Sequence, residues 1–104
     1  RKITSIKPTN VVSMDFTSAE AMEEFIKMYE RDAPSLYSEA DLLVLVKTEE
    51  ASLIAIAAYP TEEDRLTASK TAQERIDGHF APLFKESFRL LGDMVVHHRP
   101  NAKS

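Results

Sequence analysis

The chain has 104 residues, 43% of them apolar, and its 13 basic and 17 acidic side chains give a formal charge of −4. The absence of cysteine excludes disulfides and thiol catalysis, and the acidic balance argues against nucleic acid as a partner. No apolar run approaches the roughly 20 residues that cross a bilayer, so no membrane contact is expected. The N-terminus lacks the layout of a signal peptide, which makes the cytoplasm the expected location.

The two ends of the chain differ in composition from its interior. Residues 1–9 mix charges with a proline and residues 99–104 are polar, so we expect loose ends around a core of about residues 10–98. No repeat or flexible linker divides the interior, and a single domain over residues 1–104 is predicted. The sequence opens at Arg1 and not at methionine, which leaves open that it is a piece of a longer chain.

The first half of the core begins with a strand and a helix. Residues 11–16 are rich in β-branched and apolar side chains and predict a strand. Thr17 and Glu20 then have the spacing of a capping box, which starts a helix. This helix is amphipathic, because four apolar side chains recur at helical spacing, and Pro34 is expected to end it. The four are Met22, Phe25, Ile26 and Tyr29.

Two short apolar runs follow and predict a β-hairpin. They cover residues 42–47 and 53–59 and flank a polar segment. After the second run, Thr61 precedes three acidic residues. A threonine caps a helix well and the helix dipole favours negative charge in the first turn, so a second helix is predicted to start here.

The second helix is expected to break near Gly78 and Pro82, because neither residue suits a helix interior. A short further helical segment is predicted to begin at Pro82 and to end with Gly92 as its cap. Residues 94–98 are predicted to form the last strand. The expected buried side of the short segment is Leu83, Phe84, Phe88 and Leu91.

The predicted order is strand, helix, strand, strand, helix, strand. This is the ferredoxin-like βαββαβ arrangement of the α+β class, in which both helices cover one face of a four-stranded antiparallel sheet. The hairpin strands do not alternate apolar with polar residues, so the other face is apolar as well.

An apolar sheet face of this size favours association, and we predict a homodimer joined sheet to sheet. The alternative is contact with another domain of a longer chain or with the N-terminal arm. The sequence leaves open which face of the hairpin faces the partner. It is either the set Leu42, Val44, Val46, Ile54 and Ile56 or the opposite set of Leu43, Leu45, Leu53, Ala55 and Ala57.

Two segments carry a resemblance to a known family. Residues 54–63 pass from a strand through an aromatic residue into an acid-capped helix, and residues 92–98 place a glycine and an acid before a short strand ending in histidine. Over about residues 10–98 the chain resembles the antibiotic-biosynthesis-monooxygenase-like domains of the dimeric α/β-barrel superfamily. The resemblance implies a dimeric barrel with a pocket between helices and sheet in each protomer.

Known members of this family include cofactor-free oxygenases of aromatic polyketides, haem-degrading enzymes and domains without known activity. The haem-degrading branch carries an asparagine on the first strand, a tryptophan and an iron-binding helix histidine. This chain has Asn10 and His79 but no tryptophan. We therefore predict no cofactor and no metal site.

Four side chains are candidates for chemistry. His97 and His98 are candidate catalytic residues because histidine titrates near neutral pH, but strand neighbours point to opposite faces, so at most one reaches a pocket. Tyr59 is a candidate ligand-binding residue as a hydrogen-bond partner for a phenolic or quinoid compound. His79, at the break in the second helix, is another, although the helix dipole alone also favours a histidine there.

Two functions are open at this point. The first is a small-molecule-binding or cofactor-independent monooxygenase-like domain that acts as a homodimer on an aromatic or phenolic compound. The second is a non-catalytic dimerisation or interaction domain with no substrate pocket. A cavity between helices and sheet would favour the first, and a closed interior the second.

Overall fold

The computed structural model describes residues 7–78 and 80–98. The elements in chain order are β1 (Lys7–Phe16), α1 (Ala19–Leu36), β2 (Leu42–Glu49), β3 (Ser52–Ala58), α2 (Glu62–Asp77), a 3-10 turn (Ala81–Leu83) and β4 (Phe84–Met94). The predicted ferredoxin-like order is therefore confirmed. Within the two described ranges, no helix is long and apolar enough to cross a membrane.

The four strands form one antiparallel sheet in the order β2-β3-β1-β4. β1 is an inner strand, in which Val11 lies opposite Ile56 of β3 on one side and Leu90 of β4 on the other. β1 starts earlier than predicted, because Lys7 pairs with Met94 at its first residue and Thr9 is buried. Residues 7–9 are therefore part of β1 and not of a loose end as predicted, whereas residues 1–6 and 99–104 of the predicted ends lie outside the described residues.

The first helix begins one residue later and ends three residues later than predicted. Ser18, and not Thr17, is the N-cap, and its Oγ accepts a hydrogen bond from the backbone N–H of Ala21 at 3.0 Å. The helix passes through Pro34 to Leu36, so the expected end before the proline is wrong. Proline removes a single N–H donor, and the last turn is closed by a hydrogen bond from the Tyr37 N–H to the carbonyl of Ala33 at 2.8 Å.

The second helix ends as predicted, but the segment after it is a strand. Gly78 is the C-cap of α2, and its N–H donates to the carbonyl of Glu74 at 3.0 Å. Pro82 lies in the 3-10 turn, and β4 starts at Phe84. The predicted helical segment up to Gly92 is therefore wrong, since Gly92 is a strand residue paired with Thr9. The predicted last strand is wrong too, because Met94 ends β4 and residues 95–98 have no regular structure.

A register shift in β4 places Phe84 and Phe88 on opposite faces of the sheet, although their spacing predicts one buried side. Phe84 and Phe88 are four residues apart, a spacing that fits one face of a helix and one face of a regular strand alike. In the structure Phe84 pairs with Phe16 and Glu86 pairs with Asp15, so one residue of β4 is extra at this point. As a result Phe84 packs on Phe16 at 4.9 Å between ring centroids, whereas Phe88 is paired with Ser13 and 61% exposed.

The hydrophobic core lies between the helices and one face of the sheet. Phe25 of α1 is at its centre, with its ring 5.0 to 5.7 Å from four other aromatic rings. Edge-to-face and tilted contacts of this kind add to the stabilisation that burial provides. The buried cluster consists of Val12, Met14, Phe16, Ala21, Met22, Phe25, Leu53, Ala55 and Phe80.

Among residues 7–78 and 80–98, no helix lies on the other face of the sheet, which is apolar. The register places Val44, Ile56, Val11 and Leu90 in one row across all four strands. This row points away from the helices, because the alternate residues of β1 and β3 are buried beneath them. The hairpin residues on this open face are the first of the two predicted sets: Leu42, Val44, Val46, Ile54 and Ile56.

Candidate functional site

A cavity of about 60 Å³ lies between the helices and the sheet. Residues of β1, β3 and β4 line it on the sheet side, and residues of α1 and α2 line it on the helix side. Most of its wall is apolar. This space exceeds what a single water molecule needs, which is roughly 10–15 Å³. The apolar part of the wall includes Val12, Met14, Phe25, Met28, Ala55 and Phe80.

Three tyrosines line the cavity from different elements: Tyr29 lies in α1, Tyr37 caps its C-terminal end, and Tyr59 follows β3. The rings of Tyr29 and Tyr37 are 6.4 Å apart. Within residues 7–78 and 80–98, none of the three hydroxyls has a hydrogen-bond partner. Three hydroxyl donors at one cavity are therefore open to a ligand.

The tyrosine hydroxyls stay protonated at neutral pH. Burial raises the pKa of Tyr59 to about 12, and the neighbouring Tyr37 contributes to the rise. Burial also raises the pKa of Tyr29 and of Tyr37 above the ordinary tyrosine value. Groups with such pKa values donate hydrogen bonds near pH 7 and do not act as bases there.

Asn10 supplies an acceptor at the same cavity. Its position on β1 faces the helices, and the residue is 4% exposed. The side-chain Nδ2 donates to Ser69 Oγ of α2 at 2.8 Å, whereas Oδ1 has no partner within the described residues. A buried polar atom without a partner costs about 1–3 kcal/mol. A ligand hydroxyl that donates to Oδ1 would remove this cost.

The charged residues of the wall differ in their partners. Arg75 of α2 lies 3.8 Å from Asp32 of α1, and its guanidinium is 4.9 Å from the centre of the Phe80 ring. Asp32 also accepts two hydrogen bonds from Arg31, at 2.9 and 3.1 Å. Arg89 of β4 instead donates to the neutral side chain of Gln73 at 3.1 Å.

Of the sequence-predicted site residues that the structure describes, Tyr59 is the one that lines the cavity. His97 and His98 follow the end of β4, are exposed and do not line the cavity. His79 lies outside the described residues. Within the described part of the chain, no three histidine, aspartate or glutamate side chains form a group able to hold a metal ion.

Sequence reasoning missed most of the polar wall. The sequence pattern places Tyr29 in the apolar stripe of the first helix and indicates no role for its hydroxyl. Arg89 could not be predicted as a cavity residue, because the sequence pattern predicts a helix for the segment that contains it. Asn10 was noted only through the haem-degrading branch of the family. The alternation of side chains along β1 was the available signal. Alternate residues of a strand point to the same face, so Asn10 shares the face of Val12 and Met14.

These features define a ferredoxin-like domain with an apolar cavity between its helices and its sheet. No protein-family model matches the chain, and no curated protein matches it. Among solved structures, a dimeric ferredoxin-like protein from an uncultured marine organism has a TM-score of 0.73 and 17% identity, over 93% of this chain and 95% of that chain.

Two proteins described as monooxygenases also share the fold. A protein from Nitrosomonas europaea, described as an antibiotic biosynthesis monooxygenase, has a TM-score of 0.67 and 14% identity over 92% of this chain and 95% of that chain. A monooxygenase of Streptomyces coelicolor, solved with nanaomycin D, has a TM-score of 0.70 and 8% identity over 92% and 94%. The fold predicted from the sequence, that of dimeric ferredoxin-like proteins and antibiotic-biosynthesis-monooxygenase-like domains, is therefore confirmed.

Proposed function

We propose that this protein binds a small aromatic compound with a hydroxyl group in the cavity between its helices and its sheet, and that it works as a homodimer. The observation that carries the proposal is the buried Asn10 Oδ1 without a partner, in the wall of an apolar cavity. An apolar pocket with a few convergent polar groups is the usual form of a small-molecule site.

The lining fits an aromatic ring with oxygen substituents. The rings and methionines around the cavity provide an apolar surface for the ring of a ligand. Asn10 Oδ1 accepts from a ligand hydroxyl, and the hydroxyls of Tyr37 and Tyr59 donate to a ligand oxygen. Phenols and hydroquinones combine these properties in one small molecule.

Cofactor-independent oxygenation is the second candidate function, favoured by the fold shared with the monooxygenase that holds nanaomycin D. Such a reaction needs a base that deprotonates the phenol. In the described part of the cavity wall the tyrosines are protonated at neutral pH, and the carboxylate of Asp32 is engaged by two arginines. Binding is therefore the function that the geometry supports best.

The homodimer is the second part of the proposal. The open face of the sheet exposes large apolar side chains, including Phe88 and Leu90, and contiguous apolar surface of this kind is typical of an interface. A second copy of the chain presents the same face about a two-fold axis. The fold shared with a protein described as dimeric supports this arrangement.

The binding proposal is tested by titrating the protein with 4-methylphenol and with 1,4-dimethylbenzene, which lacks the hydroxyl, while following NMR chemical shifts. We expect cavity residues to shift with both compounds and the phenol to bind more tightly. Asn10→Leu removes the acceptor and should weaken phenol binding about fivefold, the equivalent of about 1 kcal/mol for one hydrogen bond.

Glu24→Leu is the matched control, because it places a leucine on the exposed side of α1. It should leave both affinities unchanged. If neither compound shifts any cavity residue, the cavity does not serve as a binding site for single-ring aromatic compounds, and the interaction-domain alternative gains support. If the phenol binds equally well to both variants, Asn10 is not its acceptor.

A further inference from the structure

Among the described charged residues of the cavity wall, Arg89 differs from Arg75 and Asp32 because no oppositely charged side chain lies within salt-bridge distance of it. Its position on β4 is opposite Val12, which places it on the helix side of the sheet. The guanidinium donates to Gln73 Oε1, and Gln73 in turn donates to Asp77 at 3.0 Å. Across residues 7–78 and 80–98, no carboxylate lies within 4 Å of Arg89.

The remaining charges of the wall do not compensate for Arg89. Arg75 and Asp32 are the other two charged lining residues, and they lie within salt-bridge distance of each other. Asp32 is also bound by Arg31. The described part of the cavity wall therefore carries two cations and one anion, and the anion already has cationic partners. Arg89 is half-buried, where an unbalanced charge interacts more strongly than at an open surface.

The hydroxyls of Tyr37 and Tyr59 are neutral donors in the same cavity wall as Arg89. Burial raises the pKa of Tyr37 and of Tyr59, and the positive charge of Arg89 partly offsets this rise, which fits a guanidinium that lies near both hydroxyls. A guanidinium together with hydroxyl donors is a set that favours a negatively charged oxygen. An arginine can donate two parallel hydrogen bonds to the two oxygens of a ligand carboxylate. A ligand with a neutral carboxamide in the same place offers only one acceptor oxygen.

Asn10 stands near Arg89 on the same face of the sheet. Asn10 is paired with Leu91, and Val12 is paired with Arg89. Asn10 and Arg89 are therefore diagonal neighbours on adjacent strands, a relation in which backbone positions are about 7–8 Å apart. One ring-sized molecule can thus meet the acceptor with one end and the guanidinium with the other.

We infer that the compound bound in this cavity is an aromatic acid, whose carboxylate pairs with Arg89 and whose hydroxyl donates to Asn10. The inference rests on the proposed function and deepens it, because it adds the charge of the ligand. Arg89 is then a specificity-determining residue that selects an anion over a neutral compound of the same shape.

The test compares 4-hydroxybenzoate with 4-hydroxybenzamide by isothermal titration calorimetry on the full chain. The two probes share the ring and the hydroxyl and differ in charge. We expect the acid to bind at least about tenfold more tightly, as hydrogen bonds to charged groups imply. Arg89→Gln should remove this preference and leave the affinity of the amide nearly unchanged, whereas Arg89→Lys should retain part of it.

Lys85→Gln is the matched control, because Lys85 is an exposed cation of the same strand that does not line the cavity. It should leave the preference intact, and a loss as large as that of Arg89→Gln would overturn the role of Arg89. Equal binding of the two probes to the unaltered protein, with both weakened by Asn10→Leu, would overturn the inference and leave the proposed function standing. Binding of neither probe would overturn both.

Discussion

The dimer proposal yields a quantitative prediction at Leu90. This residue lies on the open face of the sheet and is 55% exposed in the single chain. Burial of a whole leucine side chain contributes about 1.5–3 kcal/mol. The exposed share corresponds to about 0.8–1.6 kcal/mol, and a two-fold interface counts it twice. We therefore expect Leu90→Ala to weaken the dimer by about 1.5–3 kcal/mol, or roughly 10- to 150-fold in dissociation constant.

Sedimentation equilibrium over a range of protein concentrations measures this change directly. Leu66→Ala is the matched control, because Leu66 is also 55% exposed but lies in α2, on the other side of the molecule from the open face. The control should leave the dissociation constant unchanged. The reasoning is refuted if Leu90→Ala and Leu66→Ala behave alike, or if the unaltered chain sediments as a monomer at millimolar concentration.

Three further predictions concern the folded chain itself. Phe25→Ala should lower the free energy of unfolding by about 3–5 kcal/mol, because it empties the centre of the core; urea denaturation measures this, and a loss below 1.5 kcal/mol would contradict the core assignment. Ser18→Ala should lower the free energy of unfolding by about 1 kcal/mol in the same assay, whereas Thr17→Ala should change it little. A larger loss for Thr17→Ala than for Ser18→Ala would show that Thr17 is the N-cap, as the capping box in the sequence predicts. The pKa of Tyr59 is about 12 in the folded chain and about 10 in the unfolded chain, so its ionisation should not affect stability below about pH 10. Between about pH 10 and 12 the free energy of unfolding should fall, because the unfolded chain loses the phenolic proton first. Tyr59→Phe should flatten this part of the profile, and an unchanged slope would argue against the burial of the hydroxyl.

Local signals were sufficient to find both helices and the hairpin, but they did not place the two ends of α1 correctly. Thr61 and Gly78 are placed in the structure as their residue types predict, as N-cap and C-cap of α2. The hairpin strands were found because their apolar runs are short and rich in branched residues. At the start of the first helix, two adjacent hydroxyl residues could each serve as a cap, and the bond from Thr17 N–H to Leu83, a contact distant in sequence, assigns the cap to Ser18.

The last strand could not be found from local pattern, because its formation depends on pairing with β1 over ten positions that are distant in sequence. The same limit applies to the site. Asn10 and Arg89 are 79 positions apart in the chain, and only the alignment of β1 with β4 makes them neighbours. Tyr59 was recognised because it stands at a strand end, where ring and hydroxyl have different environments.

The extra residue in β4 has a consequence for how this chain tolerates insertions and deletions. Lys85 is exposed, and it is the residue at which the pairing of β4 shifts between Phe84 and Glu86. Deleting it would leave Phe84 opposite Phe16 and Glu86 opposite Asp15, each on its present face of the sheet, and would make the ladder regular. Deleting Ser87 instead, with the pairing of Glu86 kept, would turn Phe88 inward and Arg89 away from the cavity. The extra residue is thus a position at which β4 can become shorter without moving the core, the open face or the cavity wall.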